Sequence, residues 1–171
     1  DHEHFLGSDL AGIAGQKAGI MRAGIPCLSA AQDAAALRAL QDHAASIGAA
    51  LEVVGDDITW QPSADGGLTL ANRRDQGPGI TLPAPALRGS HQQANAALAA
   101  AALTTVFPEI GEDALATGVR RAVWPGRLHP LATGSLTRLL DAPVWIDGAH
   151  NVHGAAALAA ALAGIDSGNW H

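Results

Sequence analysis

The chain of 171 residues has a single cysteine, Cys27, so it holds no intrachain disulfide framework, and a reducing cytoplasm fits that usage. Aromatic residues make up only 4%, which leaves few platforms on which bases could stack. Cations are scarce too: 10 Lys+Arg stand against 16 Asp+Glu, for a net charge of −6. That balance argues against general nucleic-acid binding, which needs basic residues to displace counterions from phosphates. No stretch approaches roughly 20 unbroken apolar residues, so no membrane span is expected. The first residues, Asp1, His2, Glu3 and His4, offer neither the positive nor the apolar region of a cleavable signal. With 48% hydrophobic and 15% charged residues, the chain is neither disordered nor a polyelectrolyte. What remains is a soluble, cytoplasmic, acidic α/β protein, one ordinary domain or part of a larger one.

The chain begins without Met on a dense polar cluster and stops just after an apolar helical pattern, so it is expected to be a piece of a longer protein. Ser8 and Asp9 can cap a helix running to about Met21. Ile25, Pro26, Cys27 and Leu28 read as a short strand. Asp33 opens a second helix with Ala36, Leu37, Leu40, Ala44 and Ile47 on one face, closed at Gly48. A strand over 51–54 completes a strand–helix–strand unit typical of a parallel sheet. Three short strands follow at 58–60, 68–70 and 80–82, separated by Gly-rich turns, and these predict an antiparallel meander. A long helix is expected from Ser90 to about Phe107, and another over about 112–122. Trp124, Pro125, Gly126 and Arg127 then break the helical texture, which suggests a hinge. Beyond them, strands are expected at 128–131 and 143–147, and a helix over about 153–162.

Five groups of residues could carry chemistry. His2 and His4 share a face of an extended segment and, with Asp1 and Glu3, could ligate a divalent cation; a solvated polar end is the plainer reading. Lys17 is the only lysine beside nine arginines. An amine that must lose its proton and react, or take up carbon dioxide as a carbamate, cannot be replaced by Arg; an ordinary exposed helix residue is the alternative. His91 and Asn95 lie four apart on one helix face, and a carboxamide offers the donor and acceptor that a purine edge requires; capping by Ser90 competes. Arg127 follows the hinge, from which a planar guanidinium could swing to a phosphate; a surface salt bridge is the usual role for such a residue. Asp147 and His150 stand in Asp147-Gly148-Ala149-His150-Asn151, at the carboxyl end of an apolar strand where open α/β sheets place ligands; Asn151 could also simply cap the next helix.

In this order the motifs resemble one family. Asp1-His2, Leu6-Gly7 and Ile13-Ala14-Gly15-Gln16-Lys17-Ala18-Gly19-Ile20 resemble the metal-site segment of folylpolyglutamate synthase and bifunctional dihydrofolate synthase. Gly89-Ser90-His91-Gln92 with Asn95-Ala96-Ala97-Leu98-Ala99, Pro125-Gly126-Arg127-Leu128 and Asp147-Gly148-Ala149-His150-Asn151 are similar to its later motifs. These enzymes belong to the Mur ligase superfamily of ATP-dependent amide-forming ligases. The resemblance implies that residues 1–123 are the C-terminal part of the central ATP-binding domain, a parallel sheet with helices plus a small antiparallel meander. Residues 124–171 would then be a hinge and the start of a Rossmann-like, glutamate-receiving domain. It implies ATP and Mg2+ as cofactors and a monomeric protein acting on dihydropteroate or folate and L-glutamate, with no nucleic-acid or membrane partner. By resemblance His2 would ligate magnesium beside a carbamylated Lys17, and Asn95 would hold adenine, with His91 and Gln92 lining that pocket. Arg127 would reach ATP phosphate, Asp147 would contact the nucleotide, and His150 would lie near the incoming glutamate.

The implied reaction activates a folate carboxylate as an acyl phosphate, which the glutamate amine attacks to form an amide. No Gly-x-x-x-x-Gly-Lys-[Ser/Thr] phosphate cradle occurs, and Val152 stands where the family usually has Pro. The chain by itself is therefore expected to show no turnover. Three rivals remain at this point: a peptidoglycan-precursor ligase with the same chemistry, a non-catalytic scaffold or partner-binding module, and a metal hydrolase built on His2 and His4.

Overall fold

The computed structural model describes residues 9–73, 79–140 and 143–164. Helix α1 (Leu10–Ala18) starts at Asp9, whose carboxylate accepts from the amides of Ala11 and Gly12. The expected extension to Met21 is not helical in the same sense. The amides of Gly19, Ile20 and Met21 bond to the carbonyls three residues back, so the end tightens into a narrower turn. Helix α2 (Ala34–Ile47) is capped by Asp33 and closed by Gly48 in the left-handed conformation, φ +70°, as its sequence predicts. The two helices pack through Ala18, Met21 and Ala44, with Leu40, Ile47 and Leu51 alongside.

Strands β1 (Pro26–Ala30) and β2 (Ala50–Val54) pair in parallel, Pro26 opposite Ala50 and Ala30 opposite Val54. The strand expected at 25–28 thus lies one residue later and extends two further, because Ser29 and Ala30 find partners in Val53 and Val54. Asp57 turns the chain after β2 by accepting from the Val53 amide at 2.9 Å. The three strands of the meander follow: β3 (Ile58–Pro62), β4 (Leu68–Asn72) and β5 (Ile80–Leu82), antiparallel throughout. A parallel bridge between Val54 and Ile58 joins them to the first pair, so all five strands form one mixed sheet in the order β1-β2-β3-β4-β5. The sequence pattern marks the change of texture but not this fusion.

Helix α3 (Ser90–Val106) covers the sheet. Its Ala97, Ala100 and Ala101 meet Val54, Ile58, Leu68, Leu70 and Leu82, and Leu115 of α4 (Glu112–Arg121) completes the core. Alanine on the inner face lets the helix axis come close to the strands, while the β-branched and leucine side chains of the sheet supply the buried apolar area. Gln93, on the first turn of α3, donates to the carbonyls of Gly66 and Gly67, which ties the helix start to the β3–β4 turn.

After the turn at 124–127 the chain forms β6 (His129–Leu131), a short helix α5 (Ser135–Leu139) that the sequence did not predict, β7 (Val144–Ile146) and α6 (Val152–Ala163). Strands β6 and β7 pair antiparallel, His129 opposite Ile146. Asn151 caps α6 by accepting from the Gly154 amide at 2.8 Å. The architecture is the α/β arrangement expected from the sequence: a sheet with parallel strands and covering helices, a meander, and the beginning of a second sheet unit. No helix among the described residues is long and apolar enough to cross a membrane.

Candidate functional site

The N-terminus of α3 meets α6 and the turns that flank β6 and β7. Gly89 is the closest point of this meeting. Its φ is +105°, and a Cβ there would lie 2.7 Å from the His91 ring and 3.1 Å from the Ala161 side chain. Only glycine fits on both counts, the conformation and the space. It is Gly89 that precedes the helix, and Ser90 makes no capping hydrogen bond, so the capping role considered for Ser90 is not the one adopted. Beside Gly89, the Arg88 guanidinium lies over the Trp145 ring at 5.0 Å.

A cleft of about 240 Å³ opens at this junction. His91, Gln92 and Asn95 line it from α3, Arg127 from the turn before β6, and Asp147 from the end of β7. Ala149, Gly154, Ala157 and Leu158 line it on the α6 side, Leu158 being the one long side chain among them. Residues from three separate motifs, spread over more than fifty positions, therefore share one cleft.

Within the cleft the α3 side chains form a directed chain of hydrogen bonds. Asn95 Nδ2 donates to Gln92 Oε1 at 3.1 Å, and Gln92 Nε2 lies 3.0 Å from His91 Nε2. An amide nitrogen can only donate, so His91 Nε2 accepts and the ring proton resides on Nδ1. That Nδ1 is buried and has no hydrogen-bond partner. Gln92 itself is 5% exposed, the one buried polar side chain among the described residues. An unpaired buried donor and a free carboxamide oxygen on Asn95 leave the α3 wall with unmet hydrogen-bonding capacity.

The opposite wall is held by Asp147. Its Oδ2 accepts from the Leu128 amide at 2.7 Å and its Oδ1 from the Ala149 amide at 2.8 Å. The Gly148 amide donates to the Gly126 carbonyl at 2.7 Å, so the turns at 126–128 and 147–149 are joined twice. Leu128 takes a left-handed φ of +40° and is buried, two residues after Gly126 at φ +81°. The exposed Arg127 is thereby fixed at its backbone while its guanidinium stays outside any ion pair among the described residues.

The remaining expected site residues lie elsewhere. His150 is exposed and does not line the cleft; its Nδ1 donates to the Gly148 carbonyl at 2.8 Å. Lys17 is exposed on α1, away from the cleft. His2 and His4 lie outside the described residues, and among those described no group of three His, Cys, Asp or Glu side chains could hold a metal ion. What the motif spacing missed is the bridging position of Gln92, whose burial between His91 and Asn95 cannot be read from a shared helix face alone.

Two further hollows border α3. One, of about 300 Å³, is apolar and lies between α3 and α4, with Leu103, Ile110, Leu115 and Val119 in its walls. The other, of about 480 Å³, runs between α3 and the segment around Met21 and β1. Asn95 borders both of these as well as the cleft, and Ala99 borders both.

No family model matches the chain. It is 32% identical over 170 residues to the dihydrofolate synthase/folylpolyglutamate synthase of Bacillus subtilis, an alignment covering 93% of this chain and 36% of that protein. To the protein of the same description from Mycobacterium tuberculosis it is 37% identical over 182 residues, covering 95% of this chain and 34% of that one. Its fold superimposes with a TM-score of 0.80, at 27% identity, on the E. coli FolC solved in complex with ADP without folate substrate, covering 99% of this chain and 37% of that one. The chain thus spans about a third of the length of these two curated relatives. Over nearly its whole length the chain is similar in sequence and in fold to part of folylpolyglutamate synthase/dihydrofolate synthase proteins, as a fragment of such a protein would be.

Proposed function

We propose that the protein carrying this chain is an ATP-dependent ligase that adds L-glutamate to dihydropteroate, folate or both through an acyl phosphate, and that the cleft between α3 and α6 receives the nucleotide. One observation carries this reading: His91, Gln92, Asn95, Arg127 and Asp147 converge on a single cleft from three motifs. In the domain division we propose, residues 1–123 supply the nucleotide side and 124–171 the hinge and the glutamate side. The similar protein from E. coli was solved in complex with ADP, which supports a nucleotide ligand.

The residues fit such a ligand. The Asn95 carboxamide keeps an oxygen free to accept from a base amino group, and the Arg127 guanidinium has the planar donor fork that suits phosphate oxygens. Asp147, with both oxygens on backbone amides, sets the height of the Arg127 turn relative to the α3 wall. Bound ATP would supply the phosphoryl group that activates the carboxylate. The chain's own contribution is positioning and charge stabilisation, which carry most of phosphoryl-transfer catalysis. His150, exposed with its Nδ1 on the Gly148 carbonyl, has the proposed role of meeting the incoming glutamate.

Magnesium is proposed from the family alone, with His2 and a carbamylated Lys17 as its neighbours; the described residues assemble no metal site. Mass spectrometry of the active protein in bicarbonate buffer tests the carbamate, and an unmodified Lys17 in the nucleotide-bound protein would overturn it.

The function is tested by ADP formation in the full-length protein. It should require L-glutamate together with dihydropteroate or folate. ADP formation with neither acceptor would overturn the assignment. The 171-residue chain alone is expected to show no turnover, since it carries no phosphate-cradle motif.

A further inference from the structure

We propose that Gln92 is a positioning residue that makes the cleft selective for 6-aminopurine over 6-oxopurine nucleotides. This rests on the reading of the cleft as a nucleotide site and adds to it the origin of base choice.

A carboxamide on its own does not discriminate between these bases. It carries a donor and an acceptor on one edge, and a half-turn about its last bond exchanges them. An adenine edge presents an amino donor beside a ring acceptor, whereas a guanine or hypoxanthine edge presents a carbonyl acceptor beside a ring N–H. A freely turning Asn95 would serve both. It is not free to turn, because its Nδ2 is committed to Gln92 Oε1 at 3.1 Å. Turning it would set Asn95 Oδ1 against Gln92 Oε1, two acceptors facing each other.

Gln92 is held in turn. Its Nε2 lies 3.0 Å from His91 Nε2, and the residue is 5% exposed, so water cannot replace a lost partner cheaply. Reversing Asn95 while keeping these bonds therefore requires reversing Gln92 and moving the His91 proton from Nδ1 to Nε2, three coupled changes around one buried side chain. In the observed polarity Asn95 keeps the second Nδ2 proton as a donor and Oδ1 as its one free acceptor. A 6-amino group donates to it; a 6-oxo group meets it acceptor to acceptor.

The test compares ATP with GTP and ITP in the full-length protein, as affinities by calorimetry and as ratios of kcat/KM. Gln92→Met keeps the length of the side chain and removes both hydrogen bonds, and should reduce the preference for ATP about tenfold. Gln92→Glu keeps an acceptor for Asn95 Nδ2 and draws the imidazole proton to Nε2, so it should retain the ATP preference. A base preference unchanged in Gln92→Met, or lost in Gln92→Glu, overturns the proposal. Either variant suffices if the other does not fold. A purely structural role for Gln92 would weaken all three nucleotides together and leave their ratio where it was. Wild-type protein that binds none of the three would instead sink the nucleotide reading itself. An Asn95→Ala variant that loses base preference while Gln92→Met keeps it would sink only the role of Gln92.

Discussion

Asp147 and Leu128, nineteen residues apart, are joined by a 2.7 Å hydrogen bond from the Leu128 amide to the Asp147 carboxylate. It fastens the end of β7 to the turn that carries Arg127, and the second carboxylate oxygen on Ala149 shapes the following loop. Asp147→Ala should cost about 2–3 kcal/mol of stability, since it removes two hydrogen bonds to a charged group. Asp147→Asn should cost less, because one oxygen remains to accept while its amide faces the other N–H. Denaturant melts of the two variants check the order; equal and negligible losses would mean that the turn is held by other contacts.

Gly89→Ala should be more damaging than any exposed substitution in α3. The added Cβ meets the His91 ring and Ala161 at once, at a φ of +105° that L side chains rarely adopt. A loss of roughly 2–4 kcal/mol is expected from combined strain and overpacking. The same change at Gly118, where a Cβ meets nothing within 4 Å, should be neutral or stabilising by about 0.5 kcal/mol or more through helix propensity. Thermal midpoints of the pair give the comparison.

Arg127→Ala should leave stability within about 0.5 kcal/mol, because the side chain is exposed and outside any described ion pair. Its effect should fall on the catalytic rate of the full-length protein more than on nucleotide affinity, if the guanidinium engages phosphate mainly in the reacting complex. Arg127→Lys should rescue poorly, as an ammonium lacks the planar fork. Single-turnover rates equal to wild type in both variants would leave Arg127 as a surface residue.

The β3–β4 turn offers a pH test. The Ser63 hydroxyl and the Gly67 amide both donate to Asp65, and they hold its carboxyl below the ordinary value of 3.8. A folded value below the unfolded one stabilises the turn above the ordinary carboxylate range, and that contribution is lost as pH falls through the folded value. The Gly67 amide resonance should titrate with a midpoint below 3.8 in wild type and not at all in Asp65→Asn. A midpoint at or above the ordinary value would remove the Asp65 clasp from the account.

The two ends of α2 were the most legible part of the fold. Asp33 and Gly48 bracket α2 as the sequence indicates, because capping needs only local geometry. The β-strands of the meander were equally readable from their turns. Helix α5 was not: five residues with no side-chain cap leave no periodic signal. The single sheet was also out of reach, since one bridge between Val54 and Ile58 decides it and no residue pattern announces a bridge. At the site, His91 and Asn95 could be placed on one helix face from their spacing. Their meeting with Arg127 and Asp147 depends on the packing of α3 against α6, which the family likeness suggested and local sequence could not.

The alanine richness of α3 has a consequence for how the protein would respond to crowding at any one point. Because its side chains are so short, the helix is a thin partition, with hollows against Asn95 on three sides and against Ala99 on two. A bulkier residue at position 99 would intrude on both neighbouring hollows together, and any tilt of the helix would widen one by narrowing another. Volume in this part of the molecule is shared, so an occupant on one side of α3 would be felt as a change of shape on the other.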